Sequence, residues 1–500
     1  MPYLPCSVRA MLQPVPAAAP RGACPGVHRP FAATDGLLMR VRVPGGAVST
    51  RGLGALAGAV ARHGAGPVEL TNRANLQVRG VAGDALDGLR RDLVAAGLAP
   101  TDPDADERRN VLVTPGAGID PSEVADVRPV ARTVLAWLAG SDAPGRLHPK
   151  AGVLVDGGGA VSVRGRRHDV CLGATRRRDS GQLVIELAVG RALPLDRDGG
   201  GRALVVPVED AAQVAVTLLA MAGEADPPPT PGTGPGDSGD PGDDSGGGAP
   251  ARAADLVAAS GDEVVIAEVA RRTGVTVEAV DVDLLDRALP VPRAPLGIHP
   301  QRPAAHATAT SATRATDGGV VSVGAAPVLG RLGPQAVAGV AAAVERHGGD
   351  VVRLTPWRSL LVPDVAAERA TSLARELAAL GLVVDPADPA ASVVACVGSA
   401  GCSAGAADTL ADAHEVVDQR RTAGSWPAGA ASVHVSGCAK RCATRQPCDA
   451  TLVAVGGGRY DVFVADPTVA GGERQVHTAR PATAALALAA GRGDAGRGPR

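Results

Sequence analysis

Residues Arg62 to Leu98 read RHGAGPVELTNRANLQVRGVAGDALDGLRRDLVAAGL, and Arg346 to Leu382 read RHGGDVVRLTPWRSLLVPDVAAERATSLARELAALGL. The two stretches align without a gap at a constant offset of 284, and 16 of the 37 positions are identical. Shared are Arg62-His63-Gly64 with Arg346-His347-Gly348, Leu70-Thr71 with Leu354-Thr355, and Gly97-Leu98 with Gly381-Leu382. An Ala-rich chain yields some matches by composition alone, but an ungapped register of this length marks an internal duplication. Two related half-domains that pair with each other are the expectation.

Each copy reads as strand, helix, two strands, helix. From Leu37 to Val43, Met39, Val41 and Val43 alternate with Arg40 and Arg42, so a strand would present two arginines on one face. Leu53, Leu56, Val60 and Ala61 follow at helical spacing, with Gly64 as the C-terminal stop. Asn75, Gln77 and Arg79 then alternate with Leu76 and Val78, which puts a polar row on one sheet face and marks that face as the lining of a site.

At 500 residues the chain exceeds one hydrophobic core. The expected division is a first half-domain over 30–99, a mixed α/β lobe over 100–222, a Pro/Gly/Asp linker over 223–252, a second half-domain over 310–383, a second lobe over 385–470 and a disordered tail over 471–500. The linker, with its run EADPPPTPGTGPGDSGDPGDDSGGGAP, cannot pack a core. The fold class is therefore α/β in the α+β sense: duplicated half-domains plus two mixed lobes.

Seven aromatic residues leave too few stacking platforms for bases, and a net charge of −2 lacks the basic surplus that phosphate backbones demand, so nucleic acid is excluded as a partner. Prolines interrupt the opening MPYLPCSVRAMLQPVPAAAP where a secretory signal needs an apolar run, and no stretch approaches 18 apolar residues. A soluble, cytoplasmic chain with no membrane partner is expected. Eight cysteines are too sparse for a disulfide scaffold, and four of them fall in two tight pairs.

Those pairs are Cys396 with Cys402, in Ala-Cys-Val-Gly-Ser-Ala-Gly-Cys, and Cys438 with Cys442, in Ser-Gly-Cys-Ala-Lys-Arg-Cys. Four thiolates can hold one 4Fe-4S cubane, and Gly398, Gly401, Gly405 and Gly437 let backbone approach it and donate amide hydrogen bonds to sulfur. A structural zinc site is the rival, although zinc ribbons favour C-x2-4-C spacing. Four buried cysteines without metal are the bland alternative. Cys6, Cys24, Cys171 and Cys448 read as small hydrophobes.

With Gly458-Arg459-Tyr460 beyond them, the two cysteine pairs resemble the cluster lobe of the sulfite and nitrite reductase haemoprotein superfamily. The resemblance covers most of the chain. It includes Met39-Arg40-Val41-Arg42-Val43-Pro44-Gly45-Gly46, Leu70-Thr71-Asn72-Arg73 and Arg109-Asn110-Val111-Leu112. It implies nitrite/sulfite reductase ferredoxin-like half-domains, a C-terminal lobe carrying the 4Fe-4S cluster, and Arg40, Arg42, Arg73 and Arg109 as binders of macrocycle or anion. It also implies a last cysteine, Cys442, that bridges to sirohaem. Independently of the family, an arginine fork suits the many carboxylates of such a macrocycle, whereas solvated surface charge accounts for most arginines of any chain.

Departures from the reductase pattern matter as much. His148-Pro149-Lys150-Ala151-Gly152 keeps one lysine of the reductases' Lys-x-Lys pair but has Gly152 in the second place. The cysteine loop reads Cys-Ala-Lys-Arg-Cys, and Arg79 stands where a histidine is usual. The opening block Arg21-Gly22-Ala23-Cys24-Pro25-Gly26-Val27-His28-Arg29-Pro30, leading to Asp35-Gly36, resembles instead the precorrin-3B synthase branch. That branch implies an O2-dependent monooxygenase of cobalamin biosynthesis acting on the acidic tetrapyrrole precorrin-3A. An NADH-linked reductase or ferredoxin would supply electrons, and Arg40, Arg109 and Lys150 would be catalytic. It further implies a mononuclear non-haem iron, for which His28, His148, His168 and Asp35 are the residue types available. A sirohaem reductase and a non-enzymatic cluster-bearing tetrapyrrole carrier or redox sensor remain as alternatives.

Overall fold

The computed structural model describes residues 25–140, 147–193, 201–225, 251–286, 294–302, 319–422, 432–444, 448–466, 468–469 and 472–489. Cys6 and Cys24, nearly all of the expected linker and the end of the tail lie outside them.

The first half-domain is built from β1 (Phe31–Ala33), β2 (Gly36–Val41), β3 (Ala47–Ser49), β4 (Val68–Leu70) and β5 (Leu76–Val81). A helix over Thr50–Arg62 follows β3, capped by the Ser49 hydroxyl, which accepts from Gly52 N at 3.0 Å. It stops at His63, with Gly64 in the left-handed region just beyond. Leu53, Leu56 and Val60 form its buried stripe.

The first lobe contributes β6 (Val111–Val113), β7 (Val153–Asp156), β8 (Val170–Arg177), β9 (Leu183–Val189), β10 (Arg202–Pro207), β11 (Glu278–Asp281) and β12 (Leu285–Asp286). The second half-domain has β13 (Gly297–Pro300), β14 (Val320–Pro327), β15 (Arg331–Leu332), β16 (Val351–Leu354), β17 (Leu360–Ala366) and β18 (Leu382–Val383). Its helix over Pro334–Arg346 packs directly on Thr50–Arg62, burying Val337, Val340 and Val344 in the same core.

Duplication is visible down to side-chain contacts. Arg62 and His63 both bond Asp92 at 2.9 Å, and at the 284 offset Arg346 and His347 bond Glu376 at 2.7 and 2.9 Å. The two sheets also exchange strands. The first runs β1-β2-β5-β4 and is completed by β15 of the second copy, while β13-β14-β17-β16 is completed by β3 of the first. Leu332 faces Val68 and Val48 faces Val352, the same pair under the offset. Each copy thereby covers the other's open edge.

Both lobes share a second topology. In the first, β6, β7 and β8 are parallel and β9 and β10 follow antiparallel. In the last lobe, β19 (Val393–Ala395), β20 (Val433–Ser436) and β21 (Ala450–Gly456) are parallel, and β22 (Arg459–Ala465) and β23 (Glu473–Pro481) follow antiparallel. Helices over Arg128–Ala139 and Thr409–Thr422 supply the first parallel crossover of each lobe, from β6 to β7 and from β19 to β20.

Two expected boundaries are corrected. The first lobe does not end at 222: residues 251–286 return to it as two helices plus β11 on β10 and β12 on β8. The disordered tail does not begin at 471: β23 pairs with β22, and Leu486 of the helix Ala482–Ala489 is buried in the last core. A half-exposed strand such as ERQVHTARP shows little apolar alternation, because only part of one face meets the core. No helix among the described residues is long and apolar enough to cross a membrane.

Candidate functional site

Cys396 directly follows β19 and Cys438 comes two residues after β20. Since these strands are parallel neighbours, with Ala395 opposite Val435, both cysteine loops leave the same edge of the sheet. Gly437 N donates to Cys396 Sγ at 3.1 Å, and Thr409 Oγ1 donates to Cys396 O at 2.7 Å. Gly398 has φ +60°, and a Cβ there would fall 2.4 Å from Ala407 O, so only glycine permits this close return of the loop.

Burial pushes the Cys442 thiol up, and neighbouring Cys438, Cys396 and Cys402 push it further, so all four sulfurs share one electrostatic neighbourhood. Among the described residues no three His, Cys, Asp or Glu side chains are drawn together around a single ion. A cubane distributes four thiolates over its irons. The donor set, the glycine-lined approach and the amide already directed at sulfur fit the cubane.

Linked to these loops through Asn72 lies a shallow cleft open to solvent, lined by Arg73, Asn75, Asn110, Val111, Leu112, Lys150, Arg167, His168 and Arg252. Arg73 is delivered by a tight turn in which Thr71 Oγ1 accepts from Arg73 N at 3.3 Å and Asn75 N at 3.1 Å, with Ala74 left-handed at φ 53°. Asn110 Nδ2 donates to Pro149 O at 3.0 Å and Ala151 O at 3.1 Å, the two carbonyls flanking Lys150. Arg252 grips the buried Asp169 through Nε and Nη2, both at 3.1 Å. Burial lowers His168 to about 3, reinforced by Arg73, Arg166 and Arg252, so the imidazole is neutral at ordinary pH.

Asn72 joins cleft and cysteines: its Nδ2 donates to Cys442 O at 3.4 Å, and its carbonyl accepts from Arg166 Nη1 at 3.2 Å. The Arg166 guanidinium stacks over Trp357, 5.3 Å from the ring centre.

Of the residues named from sequence, Arg73 and Lys150 reach the cleft lining. Arg42 and Arg109 do not; both bond the buried Asp106, at 3.4 and 3.1 Å, and Arg42 Nε also reaches Asn110 Oδ1 at 3.2 Å. Arg40 is half-buried on β2 opposite Gln77, also outside the cleft lining. Arg79 pairs with Asp35 at 2.8 and 2.9 Å and donates to Gly401 O at 2.6 Å, tying the polar face of β5 to the first cysteine loop.

His28 bonds Pro100 O at 2.7 Å, Asp35 is taken by Arg79, and His148 Nδ1 accepts from Lys150 N at 2.9 Å. With His168 in the cleft, these four residues do not come together as the ligand set of a mononuclear iron. Sequence reasoning missed Arg167 and Arg252. The run Arg164-Gly-Arg-Arg-His168 could have drawn attention to Arg167, but nothing in the sequence places Arg252, which follows the linker, beside Lys150.

Residues 31–96 and 313–380 each match the model of the nitrite/sulfite reductase ferredoxin-like half domain. Both halves of the internal repeat thus carry this half domain, and over most of its length the chain is similar to proteins of the sulfite and nitrite reductase superfamily. Precorrin-3B synthase from Sinorhizobium sp is 28% identical over 441 residues, covering 88% of this chain and 82% of that protein. The chloroplastic ferredoxin–nitrite reductase of Zea mays is 27% identical over 432 residues, covering 82% and 68%. Among solved structures, the Mycobacterium tuberculosis NirA protein superposes with a TM-score of 0.63 at 21% identity, covering 88% of this chain and 77% of that one, which is a likeness of fold.

Proposed function

We propose that this chain is a precorrin-3B synthase: it hydroxylates precorrin-3A with O2 and forms a γ-lactone ahead of ring contraction in aerobic cobalamin biosynthesis. One oxygen atom enters the product, and the other leaves as water with two electrons from an NADH-linked reductase or a ferredoxin. The observation that carries this reading is the cleft, where Arg73, Lys150, Arg167 and Arg252 converge beside the loop of Cys442. A macrocycle bearing several carboxylates finds charge-assisted donors there, although Arg252 is already paired with Asp169. The relative named precorrin-3B synthase supports the same substrate class.

Held by Cys396, Cys402, Cys438 and Cys442, a 4Fe-4S cluster would supply electrons one at a time. The chain's own residues bind and orient. Arg73 and Lys150 take carboxylates, while Arg42 acts at one remove, holding Asn110, whose amide fixes the backbone on both sides of Lys150. Arg109 braces Asp106 from the other side. Neutral His168 offers a polar contact without adding charge to an already cationic wall.

A sirohaem-dependent sulfite or nitrite reductase is the second reading, supported by the relatives named nitrite reductase. Against it stands Gly152, where a Cβ would lie 2.8 Å from Asn110 O, so a lysine in its place has no room without displacing backbone. Small-anion reduction depends on clustered positive charge at that place. With precorrin-3A, O2 and a reducing system, the expected outcome is a hydroxylated lactone containing oxygen from O2, with negligible sulfide or ammonia from sulfite or nitrite. Brisk six-electron reduction of either anion, with precorrin-3A untouched, would overturn the synthase reading.

A further inference from the structure

Thr355 to Ser359 forms a turn in which Thr355 N donates to Ser359 O at 2.9 Å, and its fourth residue, Arg358, has φ 56°. A left-handed arginine is costly, on the order of 1 kcal/mol or more, and persists only where the surroundings hold it. What holds it is visible. Its stem lies over Gly330, where a Cβ would come within 3.0 Å of Arg358 Cδ. Its Nη1 donates to Ala395 O at 2.8 Å and its Nη2 to Ala443 O at 3.4 Å. Those carbonyls belong to the residue before Cys396 and the residue after Cys442. The guanidinium therefore clamps the first and last segments of the cysteine set, and its Nε is closed off from solvent with no hydrogen-bond partner.

We propose that Arg358 sets the reduction potential of the cluster on Cys396, Cys402, Cys438 and Cys442 by holding a fixed positive charge between two of its ligand segments. The inference rests on the cluster reading given above. When one electron from a low-potential donor enters the cluster, the site becomes one unit more negative, and no proton need accompany it if a cation is already in place. A guanidinium stays charged throughout the working pH range and its charge is weakly screened where water is excluded. It therefore favours the reduced form and raises the potential. Burial lowers Arg358, and Glu69, Cys396 and Cys442 oppose that by favouring its charged form. Arg358 is a positioning and tuning residue, since nothing requires it to touch substrate.

The test is an anaerobic dithionite titration of the full-length protein followed by electron paramagnetic resonance, with iron and acid-labile sulfide measured on each variant. At the wild-type midpoint, Arg358→Gln should hold at least tenfold less reduced cluster relative to oxidised, a shift of about 59 mV for a one-electron couple. Arg358→Lys, which keeps the charge, should stay well inside that shift. An intact cluster in Arg358→Gln titrating at the wild-type potential would overturn the assignment. If the Gln variant assembles no cluster, the Lys variant decides. A wild-type potential there supports the role of charge, and a tenfold fall despite the lysine refutes it. A wild-type chain that takes up no iron and sulfide refutes the cluster reading itself, which is a different failure.

Discussion

The turn at Thr71–Asn75 and the turn at Thr355–Ser359 are one piece of backbone used twice. In each, the first threonine donates its N–H to the carbonyl four residues on at 2.9 Å, and the fourth residue is left-handed. The first turn carries Arg73 and Asn75 into the cleft and has only Ala74 at the left-handed place. The second has Arg358 at that place and sends its charge toward the cysteines. The lobes repeat the lesson. Thr114 follows β6 and donates its N–H to Val155 O at 2.9 Å; Cys396 follows β19 and donates to Val435 O at 3.3 Å. In the first lobe the loops satisfy themselves with carboxylates, Glu123 accepting from Gly118 N at 2.7 Å and Asp120 from Val161 N at 3.2 Å. In the last lobe the same sheet edge presents the cysteine loops instead, Cys396 directly after β19 and Cys438 two residues after β20. The repeated scaffold is the same in both copies, and the side chains it presents differ between them.

That contrast can be broken outright at the cysteines. Cys438→Ser should abolish the brown chromophore with most bound iron and sulfide, while circular dichroism of the fold remains; full retention of both elements would disprove the ligand set. Next in size is the buried ion pair that supports the cleft. Arg42→Ala leaves Asp106, 1% exposed, with Arg109 as its remaining cation, and should cost about 3 kcal/mol by denaturant unfolding. A loss under 1 kcal/mol would show that Arg42 is not the brace described.

A smaller effect is expected for Lys150→Ala, which should raise KM for precorrin-3A by roughly ten- to a hundredfold, from a charged hydrogen bond worth about 1.5–3 kcal/mol, with unfolding unchanged. An unaltered KM would remove Lys150 from the site. The smallest effect concerns the carboxylate that stands in the first lobe. Burial, aided by Asp126 and Asp120 and opposed by the Gly118 amide and by Arg128, raises Glu123 to about 8. A raised folded pKa means that its contribution is most favourable below the unfolded value near 4.5 and is lost as pH climbs toward 8. Glu123→Gln should therefore flatten the fall in thermal stability between pH 5 and 8, and an unchanged slope would exclude Glu123 as its source.

The two copies and the four cysteines are readable in the sequence because each rests on local pattern: an ungapped repeat and two short spacings. The arginines are only partly readable. Alternation places Arg40 and Arg42 on one strand face, but it cannot announce that Asp106, 64 residues later, will claim Arg42. Arg252 is invisible for the same reason, since its place depends on β11 and β12 returning to the first lobe across the linker. Strands as short as β3 and β15 contain too few residues to display a period, so their exchange leaves no trace in hydropathy.

The exchange has a consequence for synthesis. A chain leaving the ribosome completes β4 at Leu70, yet the edge partner of that strand, Leu332, is made 262 residues later. At about 5–20 residues per second that delay is roughly 13–50 seconds. Throughout it the first half-domain exists with a bare edge, and the arrangement it waits for is that of a strand-swapped dimer fused into one polypeptide. Joining the copies in tandem guarantees one partner per molecule at high local concentration, so a nascent half-sheet meets its own second copy rather than a neighbour's.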